Sequence, residues 1–448
     1  MKPSSKDVFN AGSECCYSVR RLGCRWEAWS LIIKEAAAGL PPLARPLNIL
    51  ITGGRAPVAL ELARQLHCAG HQVYAADSIS RYLCRVSRAV KEAAVLPPPR
   101  QQPQAFVEAL ESLLVRWQID LLIPTCEEIF HIARERERLQ RHCRVMAPEL
   151  DLLHQLHHKG EFIRLAEQLE LQVPDTEIIA SVEAWRSAEA LGIGSGLVFK
   201  PAYSRFASRV ILPSSAGAPR KRQSADRALR EAAWAQISPS NPWIAQEYIQ
   251  GTAWCTYSIA YEGSIVAHAN YECRYRTGDA GASVHFQQAE QPEAYAWVQQ
   301  FVAAVGYSGQ ISFDFIQAED GTLYPLECNP RATSGIHLFT AKDGLAVALT
   351  DPDWLLEAGR TVTPTPGAAA MISLAMLGCG LKENRSRQDW RTWMIALRGA
   401  RDVIWHREDR GPAVEQLYMV HQAWRLSRRL GITVTEALTQ DIEWNGET

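Results

Sequence analysis

The sequence has almost no net charge. Its 47 Lys and Arg residues stand against 49 Asp and Glu in 448 positions, a formal balance of −2 at pH 7. That excludes the strongly basic footprint of a dedicated nucleic-acid binder and an acidic solvating tail. No apolar run reaches the roughly 18–20 residues needed to cross a bilayer. The longest, GAAAMISLAMLGCGL at 367–381, is too short and is interrupted by three glycines. The opening MKPSSKDVFN has nothing like the apolar core of a secretory signal. Eleven cysteines are scattered without a CxxC pair, so reduced thiols in a cytoplasmic protein are expected rather than a disulfide framework. Glycine (28) and proline (24) are ordinary in number, which excludes a disordered or collagen-like chain. There is no internal repeat and no low-complexity tract.

What is present is a long chain, 47% hydrophobic and 21% charged. At roughly 100–200 residues per domain it has room for two to four domains. Residues 1–46 are weakly patterned and read as an N-terminal extension, with Cys15–Cys16 and a short helix near 26–38. From LNILITGG onward a buried strand at 47–52, a Gly53–Gly54 turn, a helix opened by Pro57 and closed by Gly70, and a strand ending at Asp77 form a βαβ unit. A helix at 103–116 and a strand at 119–125 continue the alternation, so 47–150 is expected as an open, Rossmann-like α/β domain. Helices mixed with antiparallel-looking strands (GLVFKPA, WIAQEYI, TYSIAYEG, SIVAHANYE) make 151–350 an α+β region. Beyond a proline-marked linker at 352–366, residues 351–448 read as a small C-terminal domain packed by Trp390, Trp393, Trp405, Trp424 and Trp444. His154, His157 and His158 at helical spacing read as an exposed helix face.

The most informative stretch is GQISFDFIQAEDGTLYPLECNPRATSG. Two strands at 311–317 and 322–329 flank Asp320–Gly321, a pair suited to a two-residue type I′ turn. Glu319 then faces Thr322, which sets Asp314 opposite Glu327 and Ser312 opposite Asn329. Period-2 alternation puts these four on one face and Ile311, Phe313, Phe315, Leu326 and Cys328 on the other. Two carboxylates directly opposed repel one another, and a divalent cation held by both relieves that. The alternatives are a register shifted by one, or a solvated face where water screens both charges.

DFI…LECNPR resembles the metal-binding strand pair of the ATP-grasp superfamily, in the style of its carbamoyl-phosphate-synthase-like and amino-acid-ligase branches. The resemblance spans about 47–345 and implies a pre-ATP-grasp α/β domain, then an ATP-grasp domain of two α+β lobes with a lid at about 185–250. It implies that Asp314, Glu327 and Asn329 hold Mg²⁺ (or Mn²⁺) and that Lys159 and Lys200 contact the phosphates of ATP. Gln246, Glu247, Tyr248 and Ile249 then hold adenine through their backbone, and Arg331 is the catalytic residue that stabilises the transferring phosphoryl group. Arg274 and Arg276 in a substrate loop at 271–286, with Ser334 and His337 beyond Arg331, are substrate candidates.

The implied activity is an ATP-dependent carboxylate–amine ligase working through an acyl phosphate, releasing ADP and phosphate, on an amino acid or other small carboxylic acid. The expected partners are a small-molecule carboxylate and amine, with neither nucleic acid nor membrane; a homodimer is allowed.

Three positions depart from the family pattern. Ala253 stands where an acid often binds ribose, leaving that contact to residues such as Thr252. The lid loop PAYSRFASRV has Ser204, Arg205 and Ser208 in place of glycines. His157–His158 precede Lys159 where an acid or amide is usual. Competing readings are carbamoyl- or carboxy-phosphate chemistry, a non-catalytic nucleotide-binding protein, and an NAD(P)-dependent oxidoreductase suggested by ITGG…AADS. The last lacks G-x-G-x-x-G, because Gly53 and Gly54 are adjacent and Arg55, Ala56 and Pro57 follow.

Overall fold

The computed structural model describes residues 45–446 except 192–195, 204–208, 214–219, 274, 277–282 and 384–385. The N-terminal extension to residue 44, the lid residues Ser204, Arg205 and Ser208, and the substrate candidate Arg274 lie outside the described residues.

The first unit is a parallel sheet of β1 (Asn48–Ile51), β2 (Gln72–Asp77), β3 (Val90–Val95), β4 (Leu121–Ile123) and β5 (Arg144–Val145), in the order β3-β2-β1-β4-β5. Both faces of β1 are buried, as a continuous apolar strand in a doubly wound sheet requires. The helix Pro57–Cys68 opens on proline, and Gly70 at φ +94° turns the chain back into β2. Strand β3 has no counterpart in the sequence reading, because its half-exposed VKEAAV lacks both an apolar run and alternation.

Strand order reverses between β1 and β4, the place where open α/β sheets bind ligands. Here the chain fills it. Arg55, buried, donates to Asp77 Oδ1 at 2.5 Å, Asp441 Oδ2 at 2.6 Å and the Leu438 carbonyl at 2.8 Å. The Trp444 N–H donates to Glu127 Oε2 at 2.9 Å. The acid that a dinucleotide's ribose would need is thus committed to Arg55, and residues 438–444 occupy the crevice, which removes the oxidoreductase reading.

A three-stranded antiparallel sheet follows: β6 (Thr176–Ile179), β7 (Leu197–Pro201) and β8 (Trp243–Glu247), with β8 central. Trp185 stacks on Phe199 at 4.2 Å and packs against Trp243 to form its core.

The large sheet runs β13-β12-β9-β10-β11-β14-β15. Its strands are β9 (Gly251–Tyr261), β10 (Ser264–Glu272), β11 (His285–Gln288), β12 (Gly309–Ala318), β13 (Leu323–Asn329), β14 (Ala369–Met371) and β15 (Arg401–Asp402). One face buries Ile311, Phe313, Phe315 and Cys328 against Phe162, Trp297 and Phe301. The other shares a core with the first unit: Tyr257, Ala269 and Tyr271 pack with Leu62, Leu66 and Ile336.

Residues 351–448 are divided among their neighbours. β14 and β15 lengthen the large sheet, Trp393 closes a small core with Met371 and Met376, and Trp444 joins the first unit's core. Trp390, Trp405 and Trp424 are exposed, contrary to the expectation that all five tryptophans pack one domain. The apolar run at 367–381 is split between β14 and a helix, and among the described residues no helix is long and apolar enough to cross a membrane.

Candidate active site

The hairpin carries the site, and its register combines two features the turn alone does not give. The turn is a three-residue loop, not a two-residue one: Ala318 N–H donates to Thr322 O at 2.9 Å, and Gly321 sits at φ +90°. Pairing from the turn is therefore Gln317 with Leu323, Ile316 with Tyr324 and Phe315 with Pro325. A β-bulge then inserts Leu326, after which Asp314 faces Glu327, Phe313 faces Cys328 and Ser312 faces Asn329. The expected opposition of the carboxylates holds because loop and bulge offset each other. Leu326 is not on the apolar face; Leu323 and Pro325 are buried there. As the bulged residue it presents its carbonyl, and Lys200 Nζ donates to it at 3.0 Å.

Around the pair, Lys159 Nζ lies 3.3 Å from Glu327 Oε2. Asn329 Nδ2 donates to Glu327 Oε1 at 3.4 Å, and Arg331 Nη2 to Asn329 Oδ1 at 3.0 Å. Both lysines are buried. Burial opposes the charge on Glu327, but Lys159 and Lys200 outweigh it and hold the carboxyl down to about 2. Among the described residues no cation forms an ion pair with Asp314; burial and then Glu327 push it up to about 7. Burial also lowers Lys200 to about 8. Two facing carboxylates form a hard oxygen donor set, which Asn329 joins once its Oδ1 turns from Arg331 toward them. That set fits a divalent cation of the Mg²⁺ type.

Lys159 opens the helix Lys159–Gln168, and His158 is its N-cap: His158 Nδ1 accepts from the Glu161 N–H at 3.1 Å. An imidazole thus does what an acid or amide does at that position, which accounts for one departure from the pattern. His157 and His158 are buried and His154 is partly so, not on an exposed face; His154 and His157 stack around Phe130, and His154 also meets Trp444.

The run 246–249 leads from the small sheet to the large one, and its backbone is partly committed. Gln246 lies in the centre of the sheet and its Nε2 donates to Thr176 Oγ1. The N–H groups of Glu247 and Tyr248 donate to Asp175 O and Gly196 O. Gly251 is required by contact, since a Cβ there would lie 1.9 Å from the Gln317 carbonyl oxygen. Thr252 is exposed beside it, across from Gln317.

The outer candidates divide. Arg276 is half-buried and near enough to act on Asp314 electrostatically. Ser334 is half-buried at the start of a 3₁₀ turn, Ser334–Leu338, that lies on the large sheet. His337, buried within that turn, is a joint between units: its Nδ1 meets Glu61 Oε2 at 3.3 Å, and Glu61 also pairs with Arg401. That contact removes His337 from the substrate candidates. Sequence reasoning missed Cys255, which pairs in register with Asp314 across β9 and β12, and Cys273, whose Sγ is 3.0 Å from Cys255 Sγ.

No family model and no curated protein matches the sequence. Solved structures do match. An L-amino acid ligase from Bacillus licheniformis aligns over 74% of this chain and 80% of its own, at TM-score 0.56 and 15% identity. N5-carboxyaminoimidazole synthetase from Staphylococcus aureus, complexed with ADP, aligns over 74% and 82%, at 0.53 and 14%. The biotin carboxylase domain of 2-oxoglutarate carboxylase from Hydrogenobacter thermophilus, in complex with MgADP and bicarbonate, aligns over 68% and 70%, at 0.52 and 16%. The chain has the fold of the ATP-grasp ligases.

Proposed function

We propose that the protein is an ATP-dependent ligase that activates a small carboxylic acid as its acyl phosphate and couples it to an amine. The observation that carries this reading is the hairpin constellation: Asp314 opposite Glu327, with Lys159 on Glu327, Lys200 on the neighbouring carbonyl and Arg331 on Asn329. Asp314, Glu327 and Asn329 would hold Mg²⁺, which supplies charge neutralisation to the phosphates. Phosphoryl transfer relies chiefly on positioning and charge stabilisation, so a cleft where Lys159, Lys200 and Arg331 surround two carboxylates suits it.

In this reading Lys159 and Lys200 turn from Glu327 and the Leu326 carbonyl toward nucleotide phosphate oxygens. Arg331 meets the charge developing on the transferred phosphoryl group. Ile249, just past β8, supplies the backbone donor to adenine that Glu247 and Tyr248 do not. The substrate carboxylate attacks the γ-phosphorus, ADP leaves, and the amine displaces phosphate from the acyl carbon to form the amide. Arg276 and Ser334 border the side from which the acid enters. An amino acid is the favoured acid, supported by the likeness to the Bacillus ligase.

A phosphate-release screen tests this across pairs of amino acids, with bicarbonate included as an acid. Glu327→Gln and Arg331→Ala are expected to abolish the release that wild type gives on its cognate pair. Wild-type release no faster than Glu327→Gln on every pair would sink the proposal.

A further inference from the structure

We infer that Cys255 and Cys273 are a redox-reversible dithiol that closes to a disulfide beside Asp314, an oxidation-sensitive site that regulates the hairpin. The role of that hairpin rests on the ligase reading above; the dithiol itself does not.

The strand register makes the pair. Cys255 stands in β9 with Asp314 of β12 on one side and Tyr271 of β10 on the other. Two residues beyond Tyr271, where β10 ends, the Cys273 N–H still donates to the Ala253 carbonyl at 3.3 Å. Tyr271 and Cys273 share a face by the period-2 rule, so Cys273 lies diagonally across from Cys255. The sulfurs are 3.0 Å apart, about 1 Å more than the disulfide bond length of about 2.05 Å. Diagonal positions stand about 7–8 Å apart in a sheet, so closing the gap combines rotation of both side chains with a local shift of the chain just past β10. Both residues are half-buried, whereas Cys84, Cys126, Cys143, Cys328 and Cys379 are buried. Among the described cysteines, this pair and Cys68 are the ones that keep partial exposure.

The chemistry is thiol–disulfide exchange with a small-molecule disulfide such as glutathione disulfide as oxidant. One cysteine, as thiolate, attacks a sulfur of the oxidant and expels one glutathione thiolate. The second then attacks the protein-bound sulfur and expels the other. Two protein S–H bonds are lost, one S–S bond forms, and two electrons and two protons end on two glutathione molecules.

Closure has a local consequence. Cys255 stands opposite Asp314 across β9 and β12; as a disulfide its sulfur is drawn toward Cys273, which changes the packing beside one of the two facing carboxylates. The bond also ties the chain just past the end of β10 to β9.

The test uses the full chain incubated with glutathione disulfide, alkylated, digested and read by mass. The expected product is a linked Cys255–Cys273 peptide, lighter by two hydrogens and reversed by dithiothreitol. It should form ahead of any glutathione adduct on half-buried Cys68. Stable glutathione adducts at Cys255 or Cys273 with no link between them would overturn the dithiol. Phosphate release is measured alongside. Oxidised wild type should lose it and regain it on reduction, while Cys273→Ser should keep it under oxidant. A linked protein that turns over unchanged overturns the regulatory role. If wild type is inactive in both states while the link forms, the ligase reading fails and the dithiol stands.

Discussion

Lys200 has the most informative environment of any single residue in the cleft. Its ammonium is buried with a carbonyl as hydrogen-bond partner, and burial lowers its pKa to about 8. Below that value it carries the charge a phosphate needs; above it the charge is lost. Nucleotide affinity should therefore be flat through neutral pH and then weaken by up to about tenfold per pH unit once pH exceeds about 8. Calorimetric titration of ADP with Mg²⁺ across that range checks it. Lys200→Gln should bind more weakly at neutral pH and lose the alkaline decline; an unchanged decline in the variant would assign the titration elsewhere. Residue identities on the hairpin were legible in the sequence because the residues are close in the chain and alternation orders them. Cys255 was not, because its place beside Asp314 depends on β9 pairing with β12, strands joined by no turn from which register can be counted. His337 was misassigned for a related reason: its partner Glu61 sits on a helix of another unit.

Among the elements, the hairpin and the strand entering it test two different uses of glycine. Gly321 has open space around it but a φ of +90°, so Gly321→Ala meets only backbone strain, about 1–2 kcal/mol. Gly321→Asn should cost less, since asparagine tolerates that region. Gly251 has no unusual φ; its Cβ position is taken by the Gln317 carbonyl. Gly251→Ala must push β9 from β12 or bend the chain entering it, at about 1–3 kcal/mol, and no other L-residue should rescue it. Denaturant midpoints separate the two cases, and rescue of Gly251→Ala by any larger side chain would contradict the steric account. The same hairpin shows how far pattern carries. Alternation located both strands and the facing carboxylates, but the turn type and the bulge were invisible. Asp-Gly suits a two-residue turn as readily as the end of a three-residue one, and a bulge leaves no mark on composition.

At the scale of the whole molecule, the last described residues return to the first unit, and that ties part of its stability to pH. Trp444 meets Phe130, His131 and His154 in the first unit's core, and His157 packs on the other side of Phe130. Among the described residues neither ring nitrogen of His131 has a hydrogen-bond partner, and His157 Nε2 has none. Burial holds both histidines neutral, with pKa values lowered to about 4. An unfolded histidine titrates near 6.5, so between that value and about 4 the unfolded chain binds protons that the folded one refuses. These two histidines therefore withdraw stability as pH drops through this window, by up to about 3 kcal/mol each, against Asp314, whose carboxyl, raised to about 7, adds stability as it takes up its proton over the same range. The carboxylates held down by cations, Glu61 and Glu327 at about 2, lose their contribution only at lower pH, so the two effects occupy separate windows. Local spacing read these histidines as an exposed helix face because Trp444, the residue that covers them, lies far along the chain. Between pH 7 and pH 5, His131→Gln, which stays neutral throughout, should therefore decline less in apparent Tm than wild type, even if it starts lower at pH 7; the contribution of Asp314 is common to both proteins and cancels in the comparison. A variant whose decline matches wild type would show that the pocket around Trp444 is open to protons in the folded state.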